Sequence, residues 1–180
     1  TEYLITFAAF LIVGVVISLL VVRAKDYAMA AQRREDYTST LYALSLDLAS
    51  VNDTKVALET VSGHIMRSCN CRSAYLLPKR NQLSVAYANG GLVLDEKEIT
   101  AANWTYEHGI TSGKDTDTLA SAALRYYPLR TPNGIVGVIG IQAEEQVANI
   151  RLEQERLIAA FASQTAMAIE RIEFWKQICR

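Results

Sequence analysis

From Tyr3 to Val22 the chain reads YLITFAAFLIVGVVISLLVV, twenty residues without a charge. A helix rises about 1.5 Å per residue, so this run extends roughly 30 Å, the thickness of a bilayer's hydrocarbon. It is apolar on every face, unlike the one-sided stripe of a helix on a soluble core. A secretory signal begins with positive charge and has a shorter apolar region. Here Thr1 and Glu2 precede the run, and Arg23, Lys25, Arg33 and Arg34 follow it. These features predict one transmembrane helix over residues 1–25. The positive-inside rule puts the N-terminus outside and residues from about Arg23 onward in the cytoplasm. The chain starts almost at the membrane and without an initiator Met, which predicts a piece of a longer protein.

The 180 residues are about half apolar (51%), enough for one domain with its own core. A net charge of −1 gives no electrostatic reason to expect nucleic acid. A cytoplasmic location predicts that the three cysteines, Cys69, Cys71 and Cys179, are free thiols. The stretch HIMRSCNC offers His64, Cys69 and Cys71 to a metal, but C-x-C is a poor zinc spacing and no fourth ligand is evident. Buried structural cysteines and no metal or cofactor are the expectation.

Residues 26–50 lack Gly and Pro and suit a connecting helix. From within it, Tyr37, Leu41, Leu44, Leu48 and, just past its end, Val51 step by 4, 3, 4, 3, an a/d seam. Such a seam pairs with a second copy or packs on its own domain, and two heptads leave both open. A second helix follows, capped by Asp53 or Thr54, with Val56, Val61 and Ile65 as its apolar stripe. SAYLLP and QLSVAYA read as strands across a KRN turn, and ANGGLVL adds a turn and a further apolar run. DEKEITAANWTYEHG reads as a helix ended by Gly109, with Ile99, Ala102 and Tyr106 on one face. After the polar loop SGKDTDTLA, the strands ALRYYPLR and IVGVIGIQ flank the hairpin signal TPNG. Residues 146–180 form a long helix, in which Ile158, Phe161, Thr165, Ala168, Ile172, Trp175 and Cys179 make a second seam.

The order predicts an α+β domain with a core over 51–145. Its antiparallel sheet has about five to six strands, flanking helices packed on one face, and both termini in a parallel dimer.

No catalytic constellation can be assembled. Of the two histidines, His64 is followed by Ile-Met-Arg and His108 by Gly, and neither fits a kinase phosphoacceptor. No G-x-S-x-G and no Walker loop is present. SGKD contains Gly-Lys but lacks the first Gly of a phosphate cradle. Asp115 and Asp117 form an acid/base pair on paper, which keeps a membrane-tethered hydrolase as the weakest reading.

The membrane run, LYALSLDLA, LLP, WTYEHG, SGKDTDTL, YYPL and GVIGI, in this order, resemble the KdpD family of bacterial sensor kinases. The match is to the family's last transmembrane helix and the GAF domain after it. The family loop looks like A-G-x-G-T-D-T-L-P. Here Gly113 and Thr116 through Leu119 match, while Ser112, Asp115 and Ala120 depart. The resemblance implies a GAF-like domain in a dimeric inner-membrane histidine kinase of a two-component system. That system answers potassium limitation and osmotic upshift by switching on potassium-uptake genes through a response regulator. This chain would lack the phosphoacceptor and ATP-binding domains, so it would not be an enzyme by itself.

A GAF sheet carries its pocket under the helix and loop between its middle strands. That implies a site of Trp104, Lys114, Thr116, Asp117 and Thr118, with Tyr126 or Tyr127 as a wall, for a cytosolic small molecule or cyclic nucleotide. The alternative is that Thr116, Asp117 and Thr118 only close the loop on itself. Relay of membrane-helix motion and ligand reception are thus the two functions to separate.

Overall fold

The computed structural model describes residues 2–80, 82–143 and 152–178. It divides into two compact units, Thr1–Ser39 and Thr40–Arg180. The first consists of the N-terminal part of helix α1 (Glu2–Ala49). Where its side chains are described, at Tyr3, Phe7 and residues 13–25 and 37–39, every one is exposed. The membrane span expected over Tyr3–Val22 falls partly on side chains outside the described residues. Among the described residues no helix is long and apolar enough to cross a membrane.

The second unit contains the last turns of α1, helix α2 (Thr54–Cys69), strands β1 (Cys71–Lys79) and β2 (Gln82–Ala88), and helix α3 (Glu96–His108). Strands β3 (Ser112–Gly113), β4 (Arg125–Thr131) and β5 (Gly134–Ala143) and helix α4 (Leu152–Ile178) complete it. The five strands pair antiparallel in the order β2-β1-β5-β4-β3. Local chemistry sets the boundaries. Asp53 caps α2, its carboxylate accepting from Lys55 N and Val56 N. Asp95 caps α3 by accepting from Glu98 N, and Gly109 (φ 65°) ends it in the left-handed region. Of the ANGGLVL run, Ala88 ends β2 and residues 89–94 form no strand.

Side chains alternate across the sheet. Cys71, Tyr75, Tyr127, Leu129, Ile139 and Ile141 point to one face, where α2, α4 and the end of α1 pack. Ala74, Leu76, Leu124, Tyr126 and Val138 point to the other, which α3 covers through Ala101 and Ala102. The sequence pattern predicts helices on one face; they lie on both, because α3 buries small residues that an apolar count passes over.

Most of the two a/d seams faces inward in this unit, while Tyr37 is exposed and belongs to the first unit. Leu44 and Leu48, and Ile158, Phe161, Thr165, Ala168 and Ile172, are buried in the domain's own core. Trp175 remains exposed, and Cys179 lies outside the described residues. Two stripes also differ in detail. On α2 the buried set is Ala57, Leu58, Val61, Ser62, His64, Ile65 and Cys69, with Val56 exposed. On α3 it is Glu98, Ala101, Ala102 and Thr105, with Ile99 exposed and Tyr106 half-buried.

Candidate functional site

The α3 face is closed around one carboxylate. Glu98 sits in the first turn of α3, and its side chain points to the sheet with 5% exposure. Its Oε1 accepts from Ala123 N at 2.5 Å. Its Oε2 accepts from Leu124 N at 3.3 Å and from the Tyr126 hydroxyl at 2.7 Å. A buried carboxylate needs such donors to replace water. Here they come from the end of the loop and from β4, so one residue pins both to α3. Burial pushes the Tyr126 hydroxyl well above the ordinary tyrosine range, and the adjacent Glu98 charge pushes the same way. Tyr126 therefore stays a neutral donor. Its ring lies over Gly140 on β5, where an added Cβ would meet Tyr126 Cε1 at 2.7 Å. The glycine makes room for the ring, which is buried in one cluster with Ala101 and Ala102 of α3.

The loop from Ser112 to Leu124 is tied mostly to itself. Ser112 donates to Ala101 O at 3.0 Å and is 2.7 Å from Thr105 Oγ1, both on α3. Gly113 N donates to Thr118 O at 2.8 Å, and Lys114 N to Leu124 O at 3.0 Å. The Thr116 hydroxyl lies 2.7 Å from Gly113 O and 2.8 Å from Thr118 O, and accepts from Thr118 N. Gly113 is at φ 93°, and a Cβ there would collide with Leu124 O. Asp115 and Leu119 also take positive φ, at 58° and 55°, which folds the loop tightly.

The expected site residues are thus only partly together. Lys114, Thr116, Asp117 and Thr118 share the loop: Lys114 and Asp117 are exposed, Thr116 and Thr118 half-buried. Asp115 is exposed as well. Trp104, half-buried on α3, stacks on His108 with ring centroids 4.3 Å apart. His108 Nδ1 is 2.9 Å from Trp104 O. Tyr127 is not part of this group. It belongs to the opposite face, beneath the Arg125 guanidinium (5.7 Å to the ring centroid), and burial pushes its hydroxyl up to about 12. Of the two tyrosines, Tyr126 is the one that faces α3.

Glu98 is the residue that reading the sequence misses. Its signal is the i, i+3, i+4, i+7 set Glu98, Ala101, Ala102, Thr105, small residues that permit close approach to a sheet. A carboxylate in that set reads as an N-terminal dipole partner, which hides its second role.

On the α2/α4 face, His64 Nε2 is 2.7 Å from Asp47 Oδ2, linking α2 to α1. Cys71 Sγ donates to Cys69 O at 3.3 Å, and burial pushes the Cys69 thiol up to about 12. Among the described residues no group of three or more His, Cys, Asp or Glu is placed to hold a metal.

The GAF domain family model matches residues 54–171. The chain is 28% identical over 181 residues to the sensor protein KdpD of Clostridium acetobutylicum, covering 94% of this chain and 20% of that protein. It is 30% identical over 172 residues to KdpD of Escherichia coli K12, covering 95% of this chain and 19% of that one. It therefore spans about one fifth of the length of these relatives. The crystal structure of the native GAF domain of the E. coli potassium sensor histidine kinase KdpD superposes with a TM-score of 0.69 at 24% identity. That likeness covers 79% of this chain and 99% of that one. A methyl-accepting chemotaxis protein shares the fold at a TM-score of 0.61 and 17% identity. By its family match and its fold, this chain belongs to the GAF domain family and is similar over nearly its whole length to the corresponding part of the KdpD sensor proteins.

Proposed function

We propose that the chain is the membrane-proximal relay of a bacterial sensor histidine kinase of the KdpD type. The observation that carries this reading is the shared core: Leu44 and Leu48 of α1 and four seam residues of α4, Ile158, Phe161, Ala168 and Ile172, are buried in one cluster. Motion entering through α1 reaches α4 through the side chains of this shared cluster. The uncharged run to Val22 is the membrane anchor, in the inner membrane, with residues from Arg23 onward cytoplasmic. The kinase domains of the same protein and a response regulator read the output, in answer to potassium limitation and osmotic stress. Self-association, which sensor kinases use, has to employ side chains the core leaves free, such as Tyr42, Leu46, Met167 and Phe174.

The test is a one-residue insertion after Gln32 in the full-length kinase, which turns everything beyond it by about 100°. Stimulus-dependent autophosphorylation is expected to be lost. A normal response would refute the relay.

A ligand receptor is the second reading. The exposure of Lys114 and Asp117 and the half-exposure of Trp104 support it. The Tyr126 ring, buried beneath α3 against Gly140, and the self-bonded Thr116 weigh against it. Thermal unfolding against cytosolic nucleotides and cyclic dinucleotides separates the two. A ligand at 100 times its Kd adds about 2.7 kcal/mol. The relay predicts no shift. A shift abolished by Asp117→Ala would make the domain a receptor.

A further inference from the structure

The apolar packing of helix α4 stops before the helix does. Ile172 is its last buried residue, and every residue from 173 to 178 is exposed. Polar contacts hold this final stretch, and they converge on the junction between α1 and α2. Arg171 Nη2 donates to Leu48 O at 2.6 Å and to Val51 O at 3.0 Å, while Nη1 donates to Ala49 O at 3.0 Å. Two residues on, Glu173 Oε1 accepts from Thr54 Oγ1 at 3.3 Å. Lys176 Nζ donates to that same hydroxyl at 3.2 Å and lies 3.6 Å from Glu173.

The chemistry suits a clamp. The last carbonyls of a helix have no partner within it, and they form the negative end of its dipole. A guanidinium is a planar fork of donors that stays charged, so it satisfies several of them at once. An ammonium carries its three donors on one nitrogen and lacks the planar fork, so it does not reproduce this geometry. The clamp is also conditional. Turning or shifting α1 re-aims the carbonyls of Leu48, Ala49 and Val51 relative to a fork fixed beside the buried Ile172. The exposed contacts at Thr54 are too weak to keep the α4 tail in place alone.

We infer that Arg171 is a positioning residue that couples the end of α1 to the outgoing end of α4, its grip on the three carbonyls setting the direction of the α4 tail. This rests on the relay reading above.

The experiment compares autophosphorylation of the full-length kinase in inverted membrane vesicles at low and high potassium, for wild type, Arg171→Gln, Arg171→Lys and the Gln32 insertion. Arg171→Gln is expected to keep basal autophosphorylation within about twofold and to cut the low-to-high potassium ratio at least fivefold. Arg171→Lys, with the charge but without the fork, is expected to fall between. A cap with only a structural role would lower yield or melting temperature and leave the ratio intact. A wild-type ratio in Arg171→Gln, with the insertion abolishing the response, overturns the role of Arg171 and leaves the relay standing. A wild-type ratio in both overturns the relay and this inference together. If Arg171→Gln does not accumulate in the membrane, a full ratio in Arg171→Lys overturns the inference.

Discussion

Glu98 offers the sharpest test of how the α3 face is held. Glu98→Ala removes an acceptor shared by Ala123 N, Leu124 N and the Tyr126 hydroxyl. Leu124 and Tyr126 are buried, with exposures of 2% and 0%, so water does not replace the lost partner. Each buried donor left unsatisfied costs about 1–3 kcal/mol, and losing the desolvated carboxylate returns part of that. The net expected cost is about 3 kcal/mol, a large share of a typical domain's stability. Tyr126→Phe removes only the hydroxyl and leaves the carboxylate two backbone donors, so about 1.5 kcal/mol is expected. The double variant leaves one donor fewer unsatisfied than Glu98→Ala, because Phe has none. It should therefore cost less than the sum, with a coupling of about 1.5 kcal/mol. Urea unfolding of the whole chain in mild detergent, followed by fluorescence, measures all four corners of the cycle. A cost under about 1 kcal/mol for Glu98→Ala, or additivity within about 0.3 kcal/mol, would refute the argument that this carboxylate fastens the loop and β4 to α3.

Two further outcomes follow from the core. Burial raises the hydroxyl pKa of Tyr75, Tyr126 and Tyr127 in the fold above the ordinary 10.0, so the unfolded chain loses these protons first as pH rises. Stability should therefore be insensitive to these groups below about pH 10 and fall above it, by up to about 1.4 kcal/mol per pH unit for each tyrosine. Tyr127→Phe should shallow that slope in the same urea titration, and an unchanged slope would contradict the burial argument. Along α4, Phe161→Ala should cost about 3–5 kcal/mol and Trp175→Ala less than about 0.5 kcal/mol, as thermal unfolding will show. Equal costs would mean that the seam is not an inward-facing core.

Much of the fold is legible because it is written in local chemistry. Asp53, Gly109 and the TPNG hairpin act within a few residues of themselves, so neighbouring sequence predicts them. Alternation along β1, β4 and β5 marks two faces, and the spacing on α4 marks its buried stripe. Thr116 closing its own loop is within reach of the same reasoning, since its partners are two and three residues away.

Periodicity names a face and not what lies against it. The seams of α1 and α4 read equally well as a dimer contact, and only packing turned Leu48 and Phe161 toward the sheet. Tyr126 and Tyr127 are adjacent, and the strand pairing alone decided that the first meets α3 and the second meets α4. Glu98 finds its partners 25 to 28 residues away, and Arg171 finds its carbonyls 120 to 123 residues away. Burial and long-range hydrogen bonds depend on which surfaces meet in space, so the sequence by itself determined the elements, and the tertiary structure decided which side chains hold them together.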